Sequence, residues 1–475
     1  MVKPSALKPS ILIVFGITGD LAKRKILPAI YQLCKEKMLP EGTKILGISR
    51  RDVSIDEFLD TVNLCVNEKD GICDPAVIER IRSCTGMFKL DPLNDQDYIL
   101  LKEHLDNFER ECGDCMERLF YLSIPPQVYG PIISKLGQHG LNLGCEHGQG
   151  VAKLMIEKPF GYDYDSAEIL IRETEKVFKE EQIYRIDHFL AKETAQNILK
   201  FRRHNPVFSS QWNGRQIRRI HVIAKEQIGI ENRVNFYERV GAMRDLIQSH
   251  LMQLLSLTAL EMPDELNSDS IHAAKHEFMK SLLAPDLSVG ITNQVIRGQY
   301  DSYKDEVENP HSYTETFVSM ILRSNKPEWE NCEFKLTTGK ALDEKVTIIK
   351  VYFGDDDPNV LSFRIQPDEG IDIDLLIEQP GFVHNLQKVK MNFSYSQSFD
   401  TPHDAYERVL IDALRGDKLL FATKSEVMSS WRILQPILNE WVKTGDDLVI
   451  YKTGGKGPSI KRLDKEFSAK LKTSS

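Results

Sequence analysis

The chain has 475 residues, is 41% hydrophobic and 28% charged, and carries a formal net charge of -9. That length exceeds a typical single core and predicts two or more domains, while the composition excludes a disordered or fibrous chain. The acidic balance argues against a nucleic-acid partner. No apolar run is long enough to span a bilayer and residues 1–10 lack the apolar core of a signal peptide, so the expectation is a cytoplasmic protein with no membrane partner.

Strand and helix signals alternate through the first 160 residues, as in a doubly wound parallel sheet. Residues 11–15 read as a buried strand, followed by Gly16-Ile-Thr18-Gly19-Asp20-Leu21-Ala22 and a helical stretch to residue 38. Strand, glycine turn and helix N-terminus in that order suit a pyrophosphate, because backbone N–H groups and the helix dipole both favour an anion there. The spacing is Gly-x-x-Gly-x-x-Ala rather than Gly-x-Gly-x-x-Gly, so an ordinary strand-to-helix turn fits it too.

A second strand at 44–48 ends in Ser49-Arg50-Arg51, where an acidic residue would bind the ribose hydroxyls of NAD. A guanidinium there pairs with a 2'-phosphate, so the expected cofactor is NADP, with Asp52 leaving some NAD use open. The eight cysteines are irregularly spaced and read as reduced thiols, with Cys112-Gly-Asp-Cys115 as a surface turn. No His-Glu-x-x-His motif or carboxylate cluster points to a metal.

Strands at 119–123 and 151–156 run into Ile-Pro125-Pro126 and Glu157-Lys158-Pro159-Phe160-Gly161. Ligands of such sheets bind beyond the strand carboxyl ends, which directs Tyr121, Pro125 and Lys158 towards a nicotinamide. Residues 184–193 read Tyr-Arg-Ile-Asp187-His188-Phe189-Leu-Ala-Lys192-Glu193. A helix beginning near Asp187 puts His188 and Lys192 on one face, which suits a phosphate ester; an exposed polar helix start capped by Asp187 accounts for the same residues.

Beyond about residue 200 the pattern changes to strands at 218–225, 346–353 and 359–365 with few crossover helices, which predicts a mainly antiparallel sheet. Between them an apolar 3.6-residue spacing predicts a helix at 242–261. On it His250 stands beside Leu246, Gln253, Leu254 and Leu257, half-buried, either as a core histidine or as a general base.

These motifs, with Gly339-Lys340-Ala-Leu342, Arg364-Ile-Gln366-Pro367 and Asp404-Ala-Tyr-Glu-Arg408, resemble in order those of the glucose-6-phosphate dehydrogenase family from about residue 10 to 460. The resemblance implies a Rossmann-like NADP-binding domain over 1–184. An α+β domain with a large, mainly antiparallel sheet would follow over 185–475, for substrate binding and oligomerisation. It implies oxidation of the C1 hydroxyl of glucose 6-phosphate to the lactone, the first oxidative step of the pentose phosphate pathway. His250 matches the family's base and Asp187 the carboxylate that orients it. His188 and Lys192 match phosphate ligands; Lys158, Glu226, Asp245, Lys340, Lys345 and Gln366 match contacts to the sugar or its phosphate. Gly16, Thr18, Gly19, Asp20, Leu21, Arg50, Tyr121, Pro125 and Lys158 would hold the cofactor, with no metal, in a homodimer or homotetramer.

The chain departs from the pattern at Phe189, where the family has a tyrosine whose hydroxyl touches the phosphate; one lost hydrogen bond to a charged group costs roughly 1.5 to 3 kcal/mol. Val346 replaces a lysine and the tail from residue 458 has no tryptophan, so no second, structural NADP is expected. Two rivals are weaker: the inositol and glucose-fructose oxidoreductase group lacks the Arg-Ile-Asp-His-x-x-x-Lys run, and a catalytically dead NADP sensor would not need both Asp187 and His250.

Overall fold

The computed structural model describes residues 7–113, 115–145, 151–285, 294–355, 359–381, 385–399, 403–443 and 447–458. The chain forms two compact units, and neither is a single stretch of sequence. The first comprises residues 1–161, 165–191 and 403–424, the second 162–164, 192–402 and 425–475. The first unit thus runs past residue 184, the end expected for it, and takes back a later segment.

In the first unit, strands β1 (Ser10–Phe15), β2 (Lys44–Ser49), β3 (Thr85–Lys89), β4 (Glu117–Leu122), β5 (Ala152–Ile156) and β6 (Ile183–Ile186) form a parallel sheet in the order β6-β5-β4-β1-β2-β3. The short strand Phe421–Ala422 adds antiparallel to β6. Every residue of β1 and β5 is buried, as a sheet covered on both faces requires. Phe15 pairs with both Ile48 and Leu122, so β1, β2 and β4 end level, at the point where the strand order reverses.

Helices Leu27–Lys35, Ile55–Asp70, Pro75–Cys84 and Ala405–Arg415 share one apolar cluster with Leu12, Val14, Ile45 and Tyr121 of the sheet. The returning helix Ala405–Arg415 starts where Asp404 accepts from the Tyr406 N–H at 2.9 Å and stops at Gly416, φ 76°. An N-cap of this kind contributes about 1 kcal/mol.

Not all the cysteines are free thiols, contrary to the sequence reading. Cys115 and Cys145 form a disulfide across 30 residues, with Cα atoms 5.7 Å apart. The two precede β4 and β5, which are neighbours in the sheet, so tertiary pairing rather than local spacing joins them. Cys112, at the end of helix Asp95–Cys112, is an exposed thiol, and Gly113 closes that helix at φ 68°.

In the second unit, β7 (Ile217–Lys225), β8 (Val295–Tyr300), β9 (Phe317–Ser324), β10 (Glu333–Gly339), β11 (Val346–Phe353), β12 (Asn359–Gln366), β13 (Gly370–Glu378), β14 (Leu386–Ser394) and β15 (Leu448–Tyr451) run in the order β14-β13-β12-β11-β7-β10-β9-β8-β15. Only β7–β10 and β8–β15 among these pairs are parallel. Alternate residues of β7 and β11 are buried, the mark of a sheet with one covered face. Helix Glu193–His204 and the helical run from Met243 to Ala259 pack on it. Among the described residues no helix is long and apolar enough to cross a membrane.

Candidate active site

At the level ends of β1, β2 and β4 lies a cavity of about 300 Å³ lined by Gly16, Thr18, Gly19, Ser49, Arg50 and Pro125, with apolar walls from Ile48, Leu90, Ile124 and Val128. Gly16 has φ 78°, and a Cβ there would stand 2.5 Å from the Ser123 carbonyl oxygen, so only glycine lets β1 turn this close to β4. The Gly19 N–H closes the turn on the Gly16 carbonyl at 2.8 Å, and the helix follows at once. Among the described residues no carboxylate lines the cavity. Asp20 is exposed and pairs with Arg24 at 2.9 Å, and Leu21 is half-buried. A dinucleotide fits these residues: the glycine cradle leaves room for a pyrophosphate and Arg50 offers a cation at the ribose end.

Tyr121 does not line this cavity. Its ring lies in the core and its hydroxyl donates to Glu157 Oε1 at 2.6 Å. Side chains alternate along a strand, and this one falls on the face that shares its apolar cluster with helices Leu27–Lys35 and Ala405–Arg415. Burial pushes the Glu157 carboxyl up to about 7; hydrogen bonds from Tyr121 and Tyr406 and the charge of Lys158 restrain the rise, and Asp187 adds to it. Glu157 therefore titrates near neutral pH between two tyrosines. Lys158, next to it, is half-buried.

The helix expected from Asp187 begins six residues later, at Glu193. Asp187, 2% exposed at the end of β6, spends its Oδ1 on the Phe189 N–H at 3.0 Å, and the chain turns before it coils. His188 and Lys192 are consequently not an i, i+4 helical pair. The His188 ring lies 4.8 Å from Phe189 and is stacked at 6.2 Å on Tyr406, and it remains half-buried.

In the second unit, Lys192 is the N-cap residue of helix Glu193–His204, whose Thr194 N–H is taken at 2.9 Å by Glu369. Glu369 is also 3.8 Å from the Lys192 ammonium. His250 is 1% exposed rather than half-buried, and it lies on a π-helical stretch, Met243–Leu251, that continues as α-helix Met252–Ala259. Asp245, on the same stretch, is also buried. π-helical turns are rare overall but frequent at functional sites.

Glu226 follows β7, and its N–H donates to the Gly339 carbonyl at 2.9 Å. Its carboxylate pairs with Lys340, which is 1% exposed and stands 5.2 Å over the ring of Tyr237. Burial raises the Tyr237 hydroxyl pKa well above the usual range, and the carboxylates of Asp245, Glu315 and Glu226 push it further. Three expected sugar ligands, Glu226, Asp245 and Lys340, thus gather around one buried tyrosine. Gln366 ends β12 and donates to Thr347 Oγ1 at 3.1 Å, while Lys345 is exposed.

Sequence reasoning passed over Tyr406, Glu157 and Glu369. Each stood in or beside a quoted motif, and a buried polar residue at a strand end or helix start is the signal that would have marked them. Among the described residues no group of three or more His, Cys, Asp or Glu is arranged to hold a metal ion.

Known proteins match both parts of the chain. Residues 13–197 match the family description "Glucose-6-phosphate dehydrogenase, NAD binding domain", and residues 199–467 match "Glucose-6-phosphate dehydrogenase, C-terminal domain". The glucose-6-phosphate 1-dehydrogenase of Chlamydia muridarum is 35% identical over 95% of this chain and 94% of that protein. The protein of that name from Borreliella burgdorferi is 34% identical over 94% and 95%. A solved glucose-6-phosphate dehydrogenase in complex with its substrate glucose-6-phosphate matches at TM-score 0.89 and 30% identity, covering 98% of this chain and 99% of that one.

Proposed function

The chain belongs to the glucose-6-phosphate dehydrogenase family and has that oxidoreductase activity; we propose that it prefers NADP and that His250 is the base. The substrate is oxidised at C1 to the 6-phospholactone. In this reading His250 takes the O1 proton as hydride leaves C1, and Asp187 orients the imidazole and stabilises its charged form. A base that acts in the same step contributes roughly 10² to 10⁴ in rate. The bound dinucleotide supplies the hydride acceptor.

His188 and Lys192 hold the phosphate, with Glu226, Asp245, Lys340, Lys345, Gln366 and Lys158 on the sugar or its phosphate. A phosphate of about -1.5 to -2 charge gains on the order of 4 kcal/mol per unit-charge pair at intermediate dielectric, before desolvation is subtracted. Phosphate capture therefore governs substrate choice, and free glucose is a poor substrate. Gly16, Thr18, Gly19, Arg50 and Pro125 hold the cofactor. Proton and hydride transfer account for the reaction, and no step is assigned to a metal.

The observation that carries the cofactor preference is a cavity with Arg50 in its lining and no carboxylate. For self-assembly, as a homodimer or homotetramer, the support is the sheet edge at β13 and β14, where Leu376, Ile377, Leu386 and Met391 are 42 to 71% exposed. Steady-state rates with glucose 6-phosphate and with glucose, each with NADP and NAD, test the reading. Reduced cofactor should form fastest from glucose 6-phosphate with NADP; equal efficiency with NAD, or with glucose, contradicts it.

A further inference from the structure

The His250 stretch begins at a kink, and a residue far along the chain holds that beginning. Glu315 is 4% exposed and lies two residues before β9. Its backbone carbonyl accepts from the Ala242 N–H at 2.9 Å, and its Oε1 accepts from the Met243 N–H at 3.0 Å. Donors at a helix start have no partner within the helix, and a carboxylate is favoured there by the dipole.

Gly241 is what admits it. That residue has φ 64° and ψ 177°, and a Cβ on it would lie 2.4 Å from Glu315 Oε1. Burial pushes the Glu315 carboxyl up, opposed by the charge of Arg244, the Met243 N–H and, further off, Arg297.

The next residue reaches a second part of the site. The Thr316 carbonyl accepts from the Lys340 N–H at 2.9 Å, and the Tyr451 hydroxyl donates to the Thr316 and Lys340 carbonyls at 3.2 and 2.7 Å. One dipeptide, Glu315-Thr316, therefore ties the start of the stretch that carries Asp245 and His250 to the turn that carries Lys340.

We propose that Glu315 is a positioning residue for the dehydrogenase reaction: its carboxylate fixes the start of the Met243–Leu251 stretch, and so fixes the base relative to the Lys340 turn. The proposal rests on His250 being the base. It explains why Gly241 is a glycine and why an acid is buried where no substrate contact is assigned to it.

The test compares Glu315→Ala, Glu315→Gln and Gly241→Ala in the full chain, with NADP and with glucose 6-phosphate carrying hydrogen or deuterium at C1. A displacement of about 1 Å at a reacting group can cost 10²-fold, so Glu315→Ala should lower kcat by about 10- to 100-fold. The deuterium effect on kcat should be larger than the native one, because the chemical step itself is slowed; a smaller folded fraction would leave it unchanged.

Glu315→Gln keeps an acceptor for the Met243 N–H and should recover kcat to within about threefold. Gly241→Ala, which displaces the carboxylate without removing it, should repeat the loss and decides the matter if Glu315→Ala does not fold. Native kcat in a folded Glu315→Ala or Gly241→Ala enzyme, a Gln variant no better than Ala, or a deuterium effect no larger than the native one overturns the proposal. The underlying reading fails separately: His250→Asn at native rate would remove the base, whereas an inactive His250→Asn beside a native-rate Glu315→Ala removes only this inference.

Discussion

The two units prepare polar sites by different means. In the first, the candidate cofactor cavity joins a backbone cradle of two glycines, a helix start and level strand ends to apolar walls, with Arg50 as its charged side chain. One of its ion networks, buried Arg118 with half-buried Asp106 and Glu109, lies at the amino end of β4, away from the cavity. In the second unit, paired charge lies among the candidate functional residues themselves, as buried Lys340 with half-buried Glu226 and half-buried Lys192 beside buried Glu369, whereas in the first Asp187 is the buried acidic candidate. Backbone donors serve any dinucleotide pyrophosphate, whereas fixed charges and hydroxyls select one sugar phosphate. The difference teaches that the first site tolerates side-chain change except where a Cβ intrudes, and that the second is sensitive wherever a charge loses its partner.

The largest expected effect lies in the second unit, away from the reacting groups. Glu426 is fully buried between Lys275 and His272, at 3.0 and 2.8 Å. Burial pushes its carboxyl up, but Lys275 first and then His272 more than offset this and hold it at about 2. A group held below its unfolded value of 4.5 contributes stability that is complete above that pH and is lost as pH falls towards about 2. Removing one member of such a buried set costs roughly 3 to 5 kcal/mol, so Glu426→Gln should lower the denaturation midpoint sharply and flatten the acid limb. An unchanged midpoint would break the contrast.

Gly16→Ala tests the backbone side. Strain of up to about 3 kcal/mol predicts NADP binding about 100-fold weaker, with glucose 6-phosphate binding unaltered by calorimetry. Arg50→Glu should sharpen the contrast by raising the KM for NADP about 10- to 100-fold while sparing NAD, as expected for a charged hydrogen bond of roughly 1.5 to 3 kcal/mol. Phe189→Tyr should have the smallest effect, lowering the KM for glucose 6-phosphate about tenfold, the low end for a hydrogen bond to a charged group, if the added hydroxyl reaches the phosphate. No change would show that the phosphate does not lie against that ring edge.

Local features were legible in the sequence. The strand ends, the Gly16–Gly19 turn and the Arg50 position depend on neighbours within a few residues, and each stands within one residue of where the pattern put it. Features built from distant segments were not. Cys115 meets Cys145 only because β4 and β5 are adjacent, and Tyr406 reaches the first unit because residues 403–424 return to it. The start of helix Glu193–His204 is set by Glu369, 175 residues beyond the Thr194 it caps, so no local spacing could have moved it from Asp187. The π-helical stretch escaped because two turns of apolar residues do not separate its period from that of an α-helix. The Tyr121 direction needed the register of β4, which the apolar run from Leu119 to Leu122 does not reveal.

Single-turnover hydride transfer in His250→Asn, with glucose 6-phosphate binding measured on the same protein, tests most directly the claim that the second unit supplies the base. The expected result is a rate of hydride transfer about 10² to 10⁴ lower, with the dissociation constant of glucose 6-phosphate nearly unchanged. A native rate of hydride transfer, or a defect confined to substrate binding, would contradict it.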